Sequence, residues 1–148
     1  MKHLAIVFSI FLFINVSQST PFKECNKGQR PPTNLRINGC EDFPCKIYRG
    51  KNITAEWDFI VNAPTKALTP KVTAYVLETS VVYPFAQKNA CDTLINGECP
   101  LSKGDEVTYS LNMPVLSAYP KIKLSIQFEF FDDNGNVQVC FIVPSKVV

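Results

Sequence analysis

The sequence is poor in the residues that carry most protein chemistry. It has one histidine, His3, and that residue stands at the head of a stretch shaped like a secretory leader. Once the leader is removed no histidine remains, so the commonest general base and the commonest metal ligand are both missing. No Ser-His-Asp set can be assembled, and the 6 glycines are too scattered to build a phosphate-cradling loop. No pair of carboxylates is singled out for glycosidase chemistry. The formal charge is only +2, and one less without Lys2, far from the basic face that nucleic-acid binding demands. No segment keeps a helical period. These absences leave no catalytic residue, no metal site and no cofactor to assign, and they argue against an enzyme.

What is present begins with compartment. Lys2 and His3 are followed by the apolar run "LAIVFSIFLFINV" and then by the small polar "SQST". A basic start, a short apolar stretch and small residues at the cut define a signal peptide, here residues 1–19, with Ser17 and Ser19 preceding the cleaved bond. The run is shorter than the ~18–20 apolar residues a spanning helix needs. Residues 20–148 then form one domain, expected to be secreted and extracellular, and long enough to bury a core.

All 6 cysteines, Cys25, Cys40, Cys45, Cys91, Cys99 and Cys140, fall within that domain. An even count in a small secreted chain reads as a disulfide framework, and the spacings lack the tight pairs of a zinc ribbon. Spacing alone leaves the connectivity open. Local bridges Cys40–Cys45 and Cys91–Cys99 are the simplest choice and would leave Cys25 and Cys140 to tie the ends together. Asn52-Ile53-Thr54 is a glycosylation sequon, whereas the match at Asn15 lies inside the leader.

A period of two recurs along the domain. In "NITAEWDFIV", Ile53, Ala55, Trp57, Phe59 and Val61 share one face, while Asn52, Thr54, Glu56 and Asp58 share the other, so a sugar on Asn52 would hang in water. Val72, Ala74 and Val76 alternate with Thr73 and Tyr75. Val107, Tyr109, Leu111 and Met113 repeat the pattern, as do Ile122, Leu124, Ile126, Phe128 and Phe130. "DDNGN" then makes a hairpin turn into "VQVCFIV". Strands with one apolar face, bounded by turns and scattered prolines, predict an all-β, immunoglobulin-like antiparallel sandwich. Two connections are unusual in being apolar and proline-stiffened: "VVYPF" before Cys91 and "NMPVLSAYP" from Asn112 to Pro120. They suit either lids on a core or the rim of an apolar pocket.

The order and spacing of "FKEC", "NGCEDFPCKIYRGKN", "YPFAQKNAC", "INGECPLSKGDEVTYSLNMPVLSAYPKIKL", "FFDDNGNVQVC" and "CFIVPSKV" resemble the MD-2-related lipid-recognition (ML) family, most closely its secreted Niemann–Pick type C-2 branch. The resemblance spans nearly the whole domain, with Cys99-Pro100, Pro114-Val115 and Tyr119-Pro120 its most specific marks. It implies two sheets splayed around an apolar cavity and the bridges Cys25–Cys140, Cys40–Cys45 and Cys91–Cys99. It also implies a lipid-binding set of Phe85, Met113, Val115, Tyr119, Pro120, Phe128, Phe141 and Val143. The expected partner is a hydrophobic small molecule such as a sterol or fatty acid, held by a monomer and passed to a membrane or receptor. An immune module that presents lipid to a receptor is the second function the family allows.

The chain departs from the sterol carriers in two places. Glu78, Thr79 and Ser80 interrupt the apolar "VTAYVLETSVVYPF", and the polar "AQKN" follows Phe85 where those relatives continue in prolines. Either these residues face solvent, or Glu78 or the Tyr83 hydroxyl meets a polar ligand head. Arthropod members resemble this chain in the proline-poorer loop, and some carry fatty acids, alcohols or scent molecules. The departures bear on sterol specificity and not on lipid binding.

Overall fold

The computed structural model describes residues 18–26 and 28–148; the leader expected over residues 1–19 and its sequon at Asn15 fall almost wholly outside them. Ten strands are formed: β1 (Lys23–Glu24), β2 (Asn34–Ile37), β3 (Cys45–Ile47), β4 (Asn52–Ile60), β5 (Thr69–Val76), β6 (Thr79–Tyr83), β7 (Leu94–Asn96), β8 (Glu106–Pro114), β9 (Lys123–Phe131) and β10 (Val137–Val147). A 3₁₀ turn, Ala90–Thr93, precedes β7. One sheet runs β1-β10-β9-β5-β6, with β3 added beside β10; the other runs β2-β4-β8-β7. All pairings are antiparallel except β3 with β10, which is parallel.

The inner faces follow from the alternation. β4 and β8 pair in register with Ile53 opposite Met113, Ala55 opposite Leu111, Trp57 opposite Tyr109 and Phe59 opposite Val107, all buried. In the facing sheet Val72 pairs with Phe128 and Ala74 with Ile126, while Phe128 and Ile126 pair across their other edge with Phe141 and Val143. Burying two such faces against each other is the main drive to the sandwich.

The stretch "VTAYVLETSVVYPF", which reads as one strand, is broken into a hairpin at Leu77 and Glu78. Val76 pairs with Thr79, and the Thr79 hydroxyl donates to the Val76 carbonyl at 2.9 Å. Leu77 adopts φ +53° and is 99% exposed. A two-residue hairpin turn needs such a left-handed backbone, but the chain supplies no glycine or asparagine for it. The β9–β10 turn meets the same need differently: Gly135 takes φ +79°, and Asp132 Oδ1 accepts from the amides of Asn134 and Asn136, each at 2.9 Å.

Three disulfides join Cys25–Cys140, Cys40–Cys45 and Cys91–Cys99, the pairing that the family resemblance implies. The first closes a sequence separation of 115 residues, a bridge worth roughly 4–5 kcal/mol in the chain-entropy account. It also ties the N-terminal segment along the edge of β10, where β1 pairs in the sheet and Cys140 N donates to Arg30 O at 3.0 Å.

Candidate functional site

The two inner faces are filled differently at their two ends. At one end Trp57 lies at the centre of a ring cluster, with centroids at 4.5 Å from Tyr109, 5.0 Å from Phe141, 5.4 Å from Phe130 and 5.6 Å from Phe128. Large rings reach across the ~10 Å between packed sheets and close that end. Toward the other end the same strands carry smaller side chains: Leu124 and Ile126 before Phe128 on β9, Ile53 before Trp57 on β4, and Val72, Ala74 and Val76 on β5. Aliphatic groups of that size do not span the gap. A cavity of about 550 Å³ remains between the sheets, and among the described residues Tyr83 and Tyr119 are its only hydroxyl-bearing lining residues.

The rim is built by β6 and by the connection from β8 to β9. Val115 is fixed there by both of its backbone groups: its amide donates to Lys51 O at 2.9 Å, and its carbonyl accepts from Gly50 N at 2.7 Å. Gly50 has φ +77°, and a Cβ on it would come within 3.2 Å of Ser117 Oγ, so glycine suits this tight turn on both counts. Thus held, Val115 turns its side chain inward and is 4% exposed, whereas the next residue, Leu116, is 51% exposed at the edge of the opening. From the opposite sheet the Tyr83 hydroxyl donates to Pro114 O at 3.2 Å, linking the two lips. Burial, and then the neighbouring Tyr119 hydroxyl, push the Tyr83 phenol above its ordinary range, so it stays protonated.

The structure brings together four of the eight residues expected at the site. Met113, Val115, Tyr119 and Pro120 line the cavity. The other four stand apart from it. Phe128 and Phe141 stack on one another at 5.2 Å and 20° within the ring cluster. Val143 is buried opposite Ile126 without reaching the cavity wall. Phe85 is half-buried against the core after a tight turn in which its amide donates to Tyr83 O at 2.8 Å, and it lines an adjoining groove with Gln87, Thr93 and Tyr109 that shares Tyr83, Pro84 and Pro114 with the cavity. Tyr109 donates to Gln87 Oε1 there, and burial pushes its phenol up to about 12.

Sequence reasoning left out most of the wall, notably Ile47, Ile53, Val72, Val76, Ile126 and Val147. The signal was available as the run of small aliphatics at one end of each inward face, but alternation alone does not separate a lining residue from a packed one. Glu78 sits exposed in the hairpin turn and does not line the cavity, because the break at Leu77 carries it away from the inner face. Tyr83, the other candidate for a ligand head, does line it. Asn52 is exposed on the outer face of the second sheet, its Nδ2 donating to Asn112 Oδ1 at 2.8 Å. On that same face Arg36 grips both oxygens of Asp58 at 2.9 Å, and Thr108 donates to Asp58 at 2.7 Å.

A two-sheet sandwich, closed by rings at one end and hollow and aliphatic at the other, defines a class of domain with an inter-sheet cavity. The model of the ML domain matches residues 19–147, and the chain belongs to the ML-domain family. It is 31% identical to the mite group 2 allergen Lep d 2 of Lepidoglyphus destructor, over 99% of both chains. It is 27% identical to the dog (Canis lupus familiaris) NPC intracellular cholesterol transporter 2, over 97% of this chain and 99% of that one. Among solved structures, a Niemann-Pick type C2 protein from Japanese carpenter ant superposes with a TM-score of 0.78 at 24% identity, covering 86% of this chain and 99% of that one. Chicken MD-1, solved in complex with lipid IVa, shares the fold more distantly, with a TM-score of 0.55 at 15% identity over 84% of this chain and 86% of that one.

Proposed function

We propose that this protein is a secreted carrier of a single lipid, with residues 1–19 as its signal peptide and residues 20–148 as its one lipid-binding domain. The observation that carries this reading is the cavity of about 550 Å³, whose walls offer aliphatic groups, proline rings and two tyrosine hydroxyls. Such a space suits a sterol, a fatty acid or a similar hydrophobic molecule, including the volatile or contact signals that small carriers ferry. Burying ~15 methylenes at ~0.8 kcal/mol each gives a gross ~12 kcal/mol. Association and chain ordering cost roughly 4–15 kcal/mol against this. At the low end of that cost ~8 kcal/mol remains, which corresponds to micromolar-class binding without a metal or covalent contact. Met113, Val115, Tyr119 and Pro120 contact the ligand. Phe128, Phe141 and Val143 back the cavity from behind, and Phe85 braces the rim from outside.

The kinship with a cholesterol transporter along nearly the full chain supports the carrier reading. The protein acts as a monomer without catalysis, and releases its ligand at a membrane or to a receptor through the lips formed by Val115 and Tyr83. A glycan on Asn52, on the outer face, leaves the cavity free. Native mass spectrometry of protein purified from its own source tests the proposal. A co-purifying lipid that leaves on organic extraction is the expected result, and a protein that neither retains a lipid nor takes one up after extraction overturns it.

A further inference from the structure

The cavity is selective in what it can hydrogen-bond. Among the described residues that line it only Tyr83 and Tyr119 carry a side-chain hydroxyl, and none is a lysine, arginine, histidine or carboxylate. Lys121 and Lys123 follow directly in the chain, but both are exposed and neither lines the cavity. Both tyrosines belong to the rim, so the polar end of the cavity is its mouth. The Tyr83 hydroxyl is engaged with Pro114 O at a long 3.2 Å, a bond that a better acceptor can replace. An ionised carboxylate drawn inside the lips would lose its hydration and meet no cation. A hydroxyl, ester or ketone loses far less, and Tyr83 can donate to its oxygen. A bare hydrocarbon forgoes that bond.

We infer that Tyr83 is the specificity-determining residue of this cavity, selecting apolar ligands that end in one uncharged hydrogen-bonding group over long-chain carboxylates and plain alkanes. The inference rests on the carrier reading and narrows it to a ligand class. Tyr83 stays protonated well above neutral pH, since burial and the Tyr119 hydroxyl both raise it, so the donor is present throughout the physiological range.

The test is displacement of a fluorescent apolar probe from delipidated full-length domain by a matched set of equal chain length: primary alcohol, methyl ester, carboxylate and alkane. At about pH 8, where the acid is ionised, the alcohol should compete at least about tenfold better than the carboxylate. Tyr83→Phe, which removes only the hydroxyl, should lower the preference for alcohol over alkane about three- to tenfold. A melting curve of the variant checks that it is folded. Equal competition by carboxylate and alcohol overturns the inference, as does an alcohol-to-alkane preference unchanged in the variant, while either result leaves the carrier reading standing. Failure of the probe and of every member of the set to bind instead overturns the carrier reading, and the inference falls with it.

Discussion

Phe128 and Phe141, cross-strand partners on β9 and β10, stack at 5.2 Å and mark the boundary between the filled and the hollow halves of the sandwich. On the filled side every ring is packed on another. On the hollow side Met113 is 4% exposed yet faces the cavity.

The two sides should therefore answer differently to truncation. Phe128→Ala removes a ring from a close-packed cluster and is expected to cost about 3–5 kcal/mol. Met113→Ala enlarges a space that is already empty, and should cost about 1 kcal/mol, below the ordinary range for a core methionine. Urea denaturation of the delipidated variants makes the comparison. Equal losses at the two positions would mean that the hollow is filled in solution by collapse of its walls.

Leu77 concerns stability alone. A left-handed backbone costs a residue with a side chain roughly 1–2 kcal/mol, and Leu77, 99% exposed, gains no packing in return. Leu77→Gly removes that strain but loosens the unfolded chain by roughly 0.5–1 kcal/mol. A net gain of about 0.5–1 kcal/mol is expected from these two terms, with lipid affinity unchanged. A lower melting temperature for the variant would show that this hairpin does not hold the backbone described here.

Acid should weaken the fold through two aspartates. Hydrogen bonds from Arg36 hold the Asp58 carboxyl below its ordinary value of 3.8, with burial opposing and the Thr108 hydroxyl assisting. Burial alone would raise Asp132, but donors from Asn136, Gln138 and Asn134 outweigh it and hold that carboxyl low as well. A group depressed in the folded state contributes stability that is complete above its unfolded value and is lost as pH falls through the folded one. The loss from this pair thus belongs below about pH 4, not near neutrality. Denaturation midpoints measured down a pH series should show it, and Asp58→Asn should flatten the slope. An unchanged slope in that variant would remove Asp58 from the account.

Much of this architecture is legible in the sequence because a half-buried strand must alternate. The inward faces of β4 and β8 can be read directly, from Ile53 to Phe59 and from Val107 to Met113. β1, β2, β3 and β7, with two to four residues each, are too short to show a period. The β5–β6 hairpin is hidden because its turn is made by Leu77 and Glu78, neither of which signals a turn. The cavity is hidden for a deeper reason. Phe128 and Ile126 obey the same alternation, and only the distance between the sheets decides that one meets a ring and the other an empty space. The rim was the more readable part, since Pro114, Val115, Tyr119 and Pro120 crowd apolar groups into a connection that would otherwise be polar.

Val115 gives the most direct test of the central claim, that this end of the sandwich is an open, lipid-holding cavity. In a close-packed core, Val115→Phe would force its neighbours off their rotamers and cost roughly 1–3 kcal/mol. Against a cavity of about 550 Å³ the added ring has room, and it occupies the space a ligand needs. The measurement is a lipid titration of delipidated wild type and Val115→Phe, paired with a melting curve of each. Nearly unchanged melting is expected, with an affinity lowered more than about tenfold, or ~1.4 kcal/mol. Lost stability with lipid affinity unchanged would contradict it.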